Sequence, residues 1–270
     1  MRFHAVIFKG VILTSLSVCS FVFPSISNAN GGVPSPVNSS SESSARPTAS
    51  SIMSPTGFGL GWGQIGIGLG YVNHWIGTND DDGFGLVAMG FGDPKKVALT
   101  ANVLIDSIGG DDPFAKNGTA GFKLSHEFAD GRSAVAVGVA NVIPWGVFND
   151  YANSYYAVGT HVFNLTGSEM RPLPLVVSAG IGTGAFSSPE DFQADKESVN
   201  GFGSVALKVL PYASIIADWT DSDLAMGVSV SPFAKIPVVL GASMMNVVGE
   251  DDSSKAFLLT AAFGFDFSEK

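Results

Sequence analysis

The sequence predicts an all-β protein, an antiparallel up-and-down transmembrane β-barrel of about twelve strands, preceded by a signal peptide and a disordered linker. The first observation is strict alternation within Gly57–Asn73, whose residues after the first glycine read FGLGWGQIGIGLGYVN. Side chains change face at every residue of a strand, so Ile65, Ile67 and Leu69 share one face and small glycines the other. The second is composition: only 14% of residues are charged, against roughly 25% in soluble domains. The third is that, after the N-terminal region, no apolar run reaches the roughly 18 residues that a membrane helix needs.

The N-terminus has the features of a secretory signal peptide, which we place at residues 1–29. Arg2 and Lys9 supply positive charge, 11–23 is an apolar core, and Ser27-Asn28-Ala29 is a small-x-small cleavage site. Cleavage there removes the chain's one cysteine, two basic residues and no acids, which leaves 24 acids against 12 Lys plus Arg. The mature chain then has no cysteine and therefore no disulfide framework. Its acidic net charge argues against nucleic acid as a partner.

Residues 30–55 form a second segment, rich in Asn, Gly, Ser, Pro and Thr. A segment of this composition cannot bury enough apolar surface to fold alone, so we expect a disordered periplasmic linker. A plug that enters the barrel is the alternative. The barrel itself is then predicted for residues 56–270.

The barrel region contains twelve strand candidates, each close to the nine to eleven residues that cross a bilayer when tilted. The period of two continues throughout, and no helix is predicted after the signal peptide. The candidates are 60–73, 83–92, 96–107, 118–128, 133–143, 153–164, 174–183, 201–210, 212–220, 223–231, 237–248 and 256–267.

The connections alternate in length and charge along the chain. Those after odd strands are mostly longer and acidic, whereas those after even strands are short or basic, as at Lys95-Lys96 and Arg132. Short turns beside the termini and long loops opposite are the plan of bacterial outer-membrane barrels. We therefore expect both termini in the periplasm. The acidic outer loops contain Asp80, Asp81, Asp82, Asp111, Asp112, Glu250, Asp251 and Asp252.

A soluble β-sandwich is the rival architecture. It would need a solvated face rich in Lys, Glu and Thr. The strand candidates instead pair an apolar face, such as Val135, Val137 and Val139, with a face of Gly, Ala, Ser and Thr. This pattern favours the barrel.

By these features the chain resembles bacterial outer-membrane β-barrels, porin-like in the broad sense. The stretches Ser54–Gln64, Gly83–Pro94 and Ala134–Gly146 look like barrel proteins of unassigned role encoded in cyanobacteria. The last strand, with Phe263, Phe265 and Phe267, is similar to the terminal signal read by the barrel-assembly machinery, although this chain ends in Ser268-Glu269-Lys270. The resemblance implies outer-membrane lipid and that machinery as partners, and it transfers no functional residue.

Motifs that could indicate catalysis or ligand binding are weak. Gly61-x-Gly63-x-x-Gly66 matches a dinucleotide fingerprint, but the alternation continues where that fold needs a helix. Asp80-Asp81-Asp82-Gly83 lacks the spacing of an EF-hand calcium loop. His161 is expected to face the lumen, without a serine arrangement for hydrolysis. We predict no enzyme, no cofactor and no metal centre.

The aromatic residues Trp62, Trp75, Trp145, Trp219, Tyr71, Tyr151, Tyr155, Tyr156 and Tyr212 lie mostly near strand ends. This placement predicts the two interfacial girdles of a membrane barrel.

The function that the sequence favours is a narrow passive channel for small solutes or ions with mild cation preference. Candidate pore-lining ionisable residues are Asp106, Lys123, Glu127, Lys208, Asp218 and Asp266. The alternative is a non-conducting structural or adhesive barrel whose acidic loops bind cations or envelope partners. Whether the lumen is open, and the oligomeric state, do not follow from the sequence.

Overall fold

The computed structural model describes residues 49–74, 82–106, 108, 113–150, 152–165, 173–188, 191, 196, 198–221, 223–233, 236–248 and 255–268. They form one closed antiparallel barrel of twelve strands, which confirms the predicted fold class. The strands are β1 Gln64–His74, β2 Asp82–Asp93, β3 Val97–Ile105, β4 Gly118–Glu127, β5 Ser133–Ala140, β6 Ser154–Asn164, β7 Pro174–Gly182, β8 Asn200–Leu210, β9 Ala213–Thr220, β10 Asp223–Val230, β11 Val238–Met245 and β12 Ala256–Asp266.

Each strand pairs with its neighbours in the chain, and β1 closes the barrel by pairing with β12. The closing register runs from Gln64 opposite Asp266 to His74 opposite Ala256. We call the end that holds Gln64 and Asp266 the turn end, and the opposite end the loop end. The connections at the turn end include the two-residue turn between β8 and β9, whereas 12 residues separate β3 from β4 at the loop end.

Three strand limits differ from the prediction by three or four residues, each for a local reason. β1 begins at Gln64 instead of residue 60, because Gly63 has a positive φ of 82° and the chain before it turns into the barrel. β5 ends at Ala140 and β11 at Met245, since Asn141 and Asn246 follow them with φ of 60° and 52°. Asparagine tolerates this left-handed region better than most residues.

The prediction of no helix after the signal peptide is wrong in at least two places within the described part of the chain. Short 3-10 helices occupy Gly146–Asp150 and Gly184–Phe186, both in loop-end connections. Each begins at a glycine with positive φ, a local signal that period-two alternation does not contain. Among the described residues, no helix is long and apolar enough to cross a membrane.

The two faces of the wall follow the predicted alternation. Large apolar side chains such as Leu69, Val137, Met226 and Phe263 are exposed on the outside. Within the described part of the chain, the outward strand positions carry no Lys, Arg or Glu, and one Asp, Asp93, at the turn end of β2. An apolar band without charge is the surface that a bilayer requires, so the fold is that of a transmembrane barrel.

The occupied lumen as candidate functional site

The lumen is filled by the chain's own residues 49–61, which we call the luminal segment. All of them are buried except Gly59, which is half-buried, and the next residue, Trp62, is exposed. The predicted linker 30–55 therefore has its last seven residues packed inside the barrel. The composition of that segment predicts disorder only in isolation, whereas the wall supplies its partners. The remainder of the linker and the predicted signal peptide lie outside the described residues.

Glycine allows the luminal segment to pass close to the wall. A Cβ added to Gly57 would lie 2.3 Å from the carbonyl oxygen of Ala134 on β5. A Cβ on Gly90 of β2 would lie 2.2 Å from the carbonyl oxygen of Gly61. Both contacts are far below van der Waals distance and involve backbone atoms, so close passage depends on glycine on both sides.

The buried carboxylate of Asp218 on β9 binds residues 51–54, which we call the leading end of the segment because they lie towards its N-terminus. Its Oδ2 accepts the backbone N–H groups of Ile52, Met53 and Ser54 at 2.8, 3.0 and 3.0 Å. The hydroxyl of Ser51 lies 2.7 Å from the same oxygen, and the hydroxyl of Ser54 donates to Oδ1. Three N–H groups and two hydroxyls from four consecutive residues thus surround a side chain that is fully buried, and the Ser51 hydroxyl shares its one proton between Asp218 and the carbonyl of Ser54. Successive N–H groups of this kind form an anion-binding concavity.

Further polar contacts attach the segment to other strands. On β8 the hydroxyl of Ser204 donates to the carbonyl of Ser50 at 3.1 Å. Gly57 donates its N–H to Oγ1 of Thr160 on β6 at 2.8 Å.

Nearer the turn end, the ammonium of Lys123 on β4 donates to the carbonyl of Phe58 at 2.7 Å. Leu60 donates its N–H to Oγ1 of Thr100 on β3 at 2.9 Å. These partners lie on four strands around the barrel, so the segment is held from several sides.

Apolar side chains fill the remaining space. Ile52, Met53 and Leu60 belong to a buried cluster that includes Phe84 and Leu258 of the wall. Phe58 packs in a second cluster with Ala134, Val162 and Val176. The described lumen is a packed core at these levels.

The two 3-10 helices close the loop end of this core. Phe148 and Phe186 are both fully buried and belong to the same cluster as Ile52. Phe186 stacks on Phe202 with ring centroids 4.4 Å apart, and its centroid lies 5.8 Å from that of Tyr156. The lumen is thus filled from two directions, by the luminal segment and by the loop-end aromatic rings.

Five of the six predicted pore-lining residues lie at inward strand positions. The sixth, Asp106, directly follows the last, outward residue of β3, which places it on the inward side. Asp106, Lys123 and Asp218 are buried, Glu127 and Lys208 are half-buried, and Asp266 is exposed at the turn end. They do not form one cluster. Lys123 and Asp218 contact the luminal segment, while Asp266 accepts hydrogen bonds from Gln64 and Ser268. Their role in lining a pore stays a prediction.

Sequence reasoning missed Asp223, which is buried at the inward start of β10. From the sequence it is assigned to an acidic loop, because it lies beside a turn, where a carboxylate is usually solvated. Of the eight predicted outer-loop acids, Asp82 begins β2, with its side chain outside the described residues, and the other seven lie outside them entirely.

His161 faces outward, contrary to the prediction that it faces the lumen. It is opposite Ser133 across the β5–β6 pair, and its ring packs edge-on against Phe163 with centroids 4.4 Å apart. The hydroxyl of Ser133 donates to Asp130 at 2.7 Å and lies 2.9 Å from Nδ1 of His161. A serine nucleophile needs to give its proton to the histidine, whereas this serine gives it to the carboxylate. The contacts order the β4–β5 turn.

Asp130 lies in that turn, outside the membrane-spanning strands, and its surroundings lower its pKa. The hydrogen bond from the Ser133 hydroxyl, followed by those from the N–H groups of Arg132 and Ser133, lowers the pKa of Asp130 to about 2. Hydrogen bonds to the charged form favour ionisation.

The predicted aromatic girdles are partly represented among the described residues. Trp62, Trp219, Tyr155 and Tyr212 are exposed near strand ends. Tyr156 is instead buried in the lumen, one alternation step from Tyr155. Trp75 and Tyr151 lie outside the described residues.

These features define a membrane-spanning β-barrel whose lumen is occupied by its own luminal segment.

No protein-family model matches the chain, and no curated protein matches it. Among solved structures, the chain is similar to the COG4313 outer membrane channel from Pseudomonas putida F1, with 10% identity, a TM-score of 0.43, and coverage of 76% of this chain and 97% of that one. It is also similar to the outer membrane protein Omp33 of Acinetobacter baumannii, with 13% identity, a TM-score of 0.44, and coverage of 75% and 97%. Similarity this low carries no argument about function, and the likeness to cyanobacterial barrels stays a prediction.

Proposed function

We propose that the protein is a bacterial outer-membrane channel for small solutes or ions, occluded in this state by its luminal segment. Both termini of the barrel lie at the turn end, which we assign to the periplasm from the short connections there. The uncharged exterior supports a site within lipid. Function then depends on what occupies the interior.

The observation that carries the proposal is that the lumen is occupied by the luminal segment, residues 49–61. The space is filled by a segment outside the strands and not by wall side chains alone. The wall beneath it combines small residues, such as Thr100, Thr160 and Ser204, with larger ones, such as Phe84 and Leu258. Eight strands leave room only for side chains, whereas larger barrels enclose a cavity. Displacement of the segment would therefore leave a narrow water-accessible path.

Mild cation preference belongs to the same proposal. The inward ionisable positions include the acids Asp106, Glu127, Asp218 and Asp266 against Lys123 and Lys208. Asp223 adds a further inward carboxylate. A pore lined by more acids than bases concentrates cations.

Planar-bilayer recording of the full chain and of a variant lacking residues 30–58 tests the proposal. We expect the full chain to be mostly closed and the deletion variant to conduct, with a reversal potential under a salt gradient that indicates cation preference. Heat-modifiable migration on gels would verify that both barrels are folded. Phe148→Ala combined with Phe186→Ala in the deletion background removes the loop-end rings as a second closure.

A non-conducting structural barrel is the second candidate, and one observation favours it. Ile52, Met53 and Leu60 are packed among wall aromatic and aliphatic side chains, as in a permanent core. Folded deletion variants that do not conduct, with or without the loop-end substitutions, would contradict the channel and support this candidate. Anion preference in a conducting variant would contradict only the proposed selectivity.

A further inference from the structure

We infer that Asp218 is the latch that keeps the luminal segment in the lumen, an inference that rests on the proposed occluded channel for its functional meaning. No other contact between the segment and the wall described above gathers so many donors. Three N–H groups and two hydroxyls of 51–54 converge on this one carboxylate.

The latch depends on a mutual need of two buried groups. A carboxylate removed from water is costly unless its charge is hydrogen-bonded. The N–H groups of Ile52, Met53 and Ser54 have the same requirement, since the chain at these residues is not part of a strand. When the segment occupies the lumen, each group satisfies the other. When it leaves, water must enter to replace both sets of hydrogen bonds, which is the condition of an open pore.

The other polar attachments to the wall are weaker or simpler. Thr100, Thr160 and Ser204 each contribute one hydrogen bond between neutral groups. Hydrogen bonds to an ionised partner are roughly twice as strong as neutral ones. Lys123 is the other charged anchor, and it binds the segment farther along the chain, at the carbonyl of Phe58.

Position along the barrel also favours Asp218 as the release point. It lies two residues before the loop end of β9, whereas the segment joins β1 at the turn end through Gly61 and Gln64. Loss of the Asp218 contacts would free the leading end first. The trailing end would stay attached, because Trp62 donates its N–H to the carbonyl of Gly92 at 2.7 Å. The segment can therefore move without unfolding the wall.

Cysteine accessibility in the purified, folded full chain tests the latch. Met53→Cys, in a background carrying Cys19→Ala, places a thiol on the segment at a side chain that is 2% exposed. We expect Asp218→Asn and Asp218→Ala to increase its rate of reaction with a small maleimide about tenfold or more, given the strength of hydrogen bonds to charged groups. Asp266→Asn is the matched control, an inward carboxylate at the turn end, and should leave the rate within about twofold of the starting protein.

Unchanged reactivity in both folded Asp218 variants would overturn the latch. So would an equal increase in the Asp266 variant, because it would show a general effect of luminal charge. The channel proposal fails separately: if 30–58 deletion variants do not conduct while Asp218→Asn exposes the thiol introduced by Met53→Cys, the latch stands and the channel is wrong.

Discussion

At the scale of single residues, the fit of the luminal segment depends on positions where no side chain can be added. Gly57 is the clearest, since its backbone lies against the carbonyl of Ala134. Gly159 on the outside of β6 is its opposite, because a Cβ there would meet nothing within 4 Å. The two glycines thus separate a packing requirement inside the barrel from a tolerant position on its surface.

Gly57→Ala should therefore displace the luminal segment, whereas Gly159→Ala should have little effect. Inserting a methyl group into a packed site costs about 1–3 kcal/mol. Urea unfolding in lipid vesicles would measure the free energy of each variant. Equal stability of the two variants would contradict the close passage of Gly57 along β5.

Asp130 gives a pH prediction outside the membrane. Its folded pKa of about 2 is below the ordinary value of 3.8, so its contacts stabilise the turn above about pH 4, and this contribution is lost as the pH falls towards 2. Because the Ser133 hydroxyl is the largest cause, Ser133→Ala should raise the pKa of Asp130 towards 3.8. The carboxyl carbon shift of Asp130, followed by NMR against pH, measures this. An unchanged midpoint would refute the role of Ser133.

Residue-level prediction from sequence succeeded for faces and failed for partners. Alternation placed Lys123 and Asp218 on the inner side, because the period of two is local. It could not show that Asp218 binds Ser54, since the two are 164 residues apart in the chain. His161 was misplaced because its face depends on the register of β6, and one residue of error reverses the side.

At the scale of elements, the strands were predictable because each repeats one simple pattern over eight to twelve residues. The main error was at β1, where the alternation continues back to residue 60 but Leu60 and Gly61 belong to the luminal segment. Leu60 is apolar and could face lipid or core, and the sequence does not distinguish those two apolar environments. The 3-10 helices were missed for a similar reason, since Phe148 and Phe186 are folded inward by loops.

The free energy that the barrel loses when an outward residue is replaced by a charged one depends on the depth of that residue in the membrane. Leu69→Arg, in the middle of β1 and half exposed to lipid, should destabilise the barrel by about 2–4 kcal/mol. Trp62→Arg, just before β1 at the turn end, should cost about 0–1 kcal/mol, because it lies near the interface. Equilibrium unfolding in vesicles compares them. Equal costs would contradict the assigned membrane depth of β1.

At the scale of the whole molecule, an even number of strands and closure of β1 on β12 were both predictable from the alternating loops. The content of the lumen was not. A segment rich in Ser, Pro and Gly has the composition of a linker, and its burial depends on polar partners distributed over five strands. Occupation of the lumen therefore depends on a segment outside the strands together with its partners on the wall, such as Asp218.

The measurement that tests this account most directly is amide hydrogen exchange of the full chain in lipid nanodiscs. The N–H groups of Ile52, Met53 and Ser54 bind Asp218, and those of Gly57 and Leu60 bind wall hydroxyls. We predict that these five amides exchange slowly, since their exchange requires the segment to leave the lumen. Exchange within seconds at all five, while the strand amides remain protected, would contradict the occupied lumen.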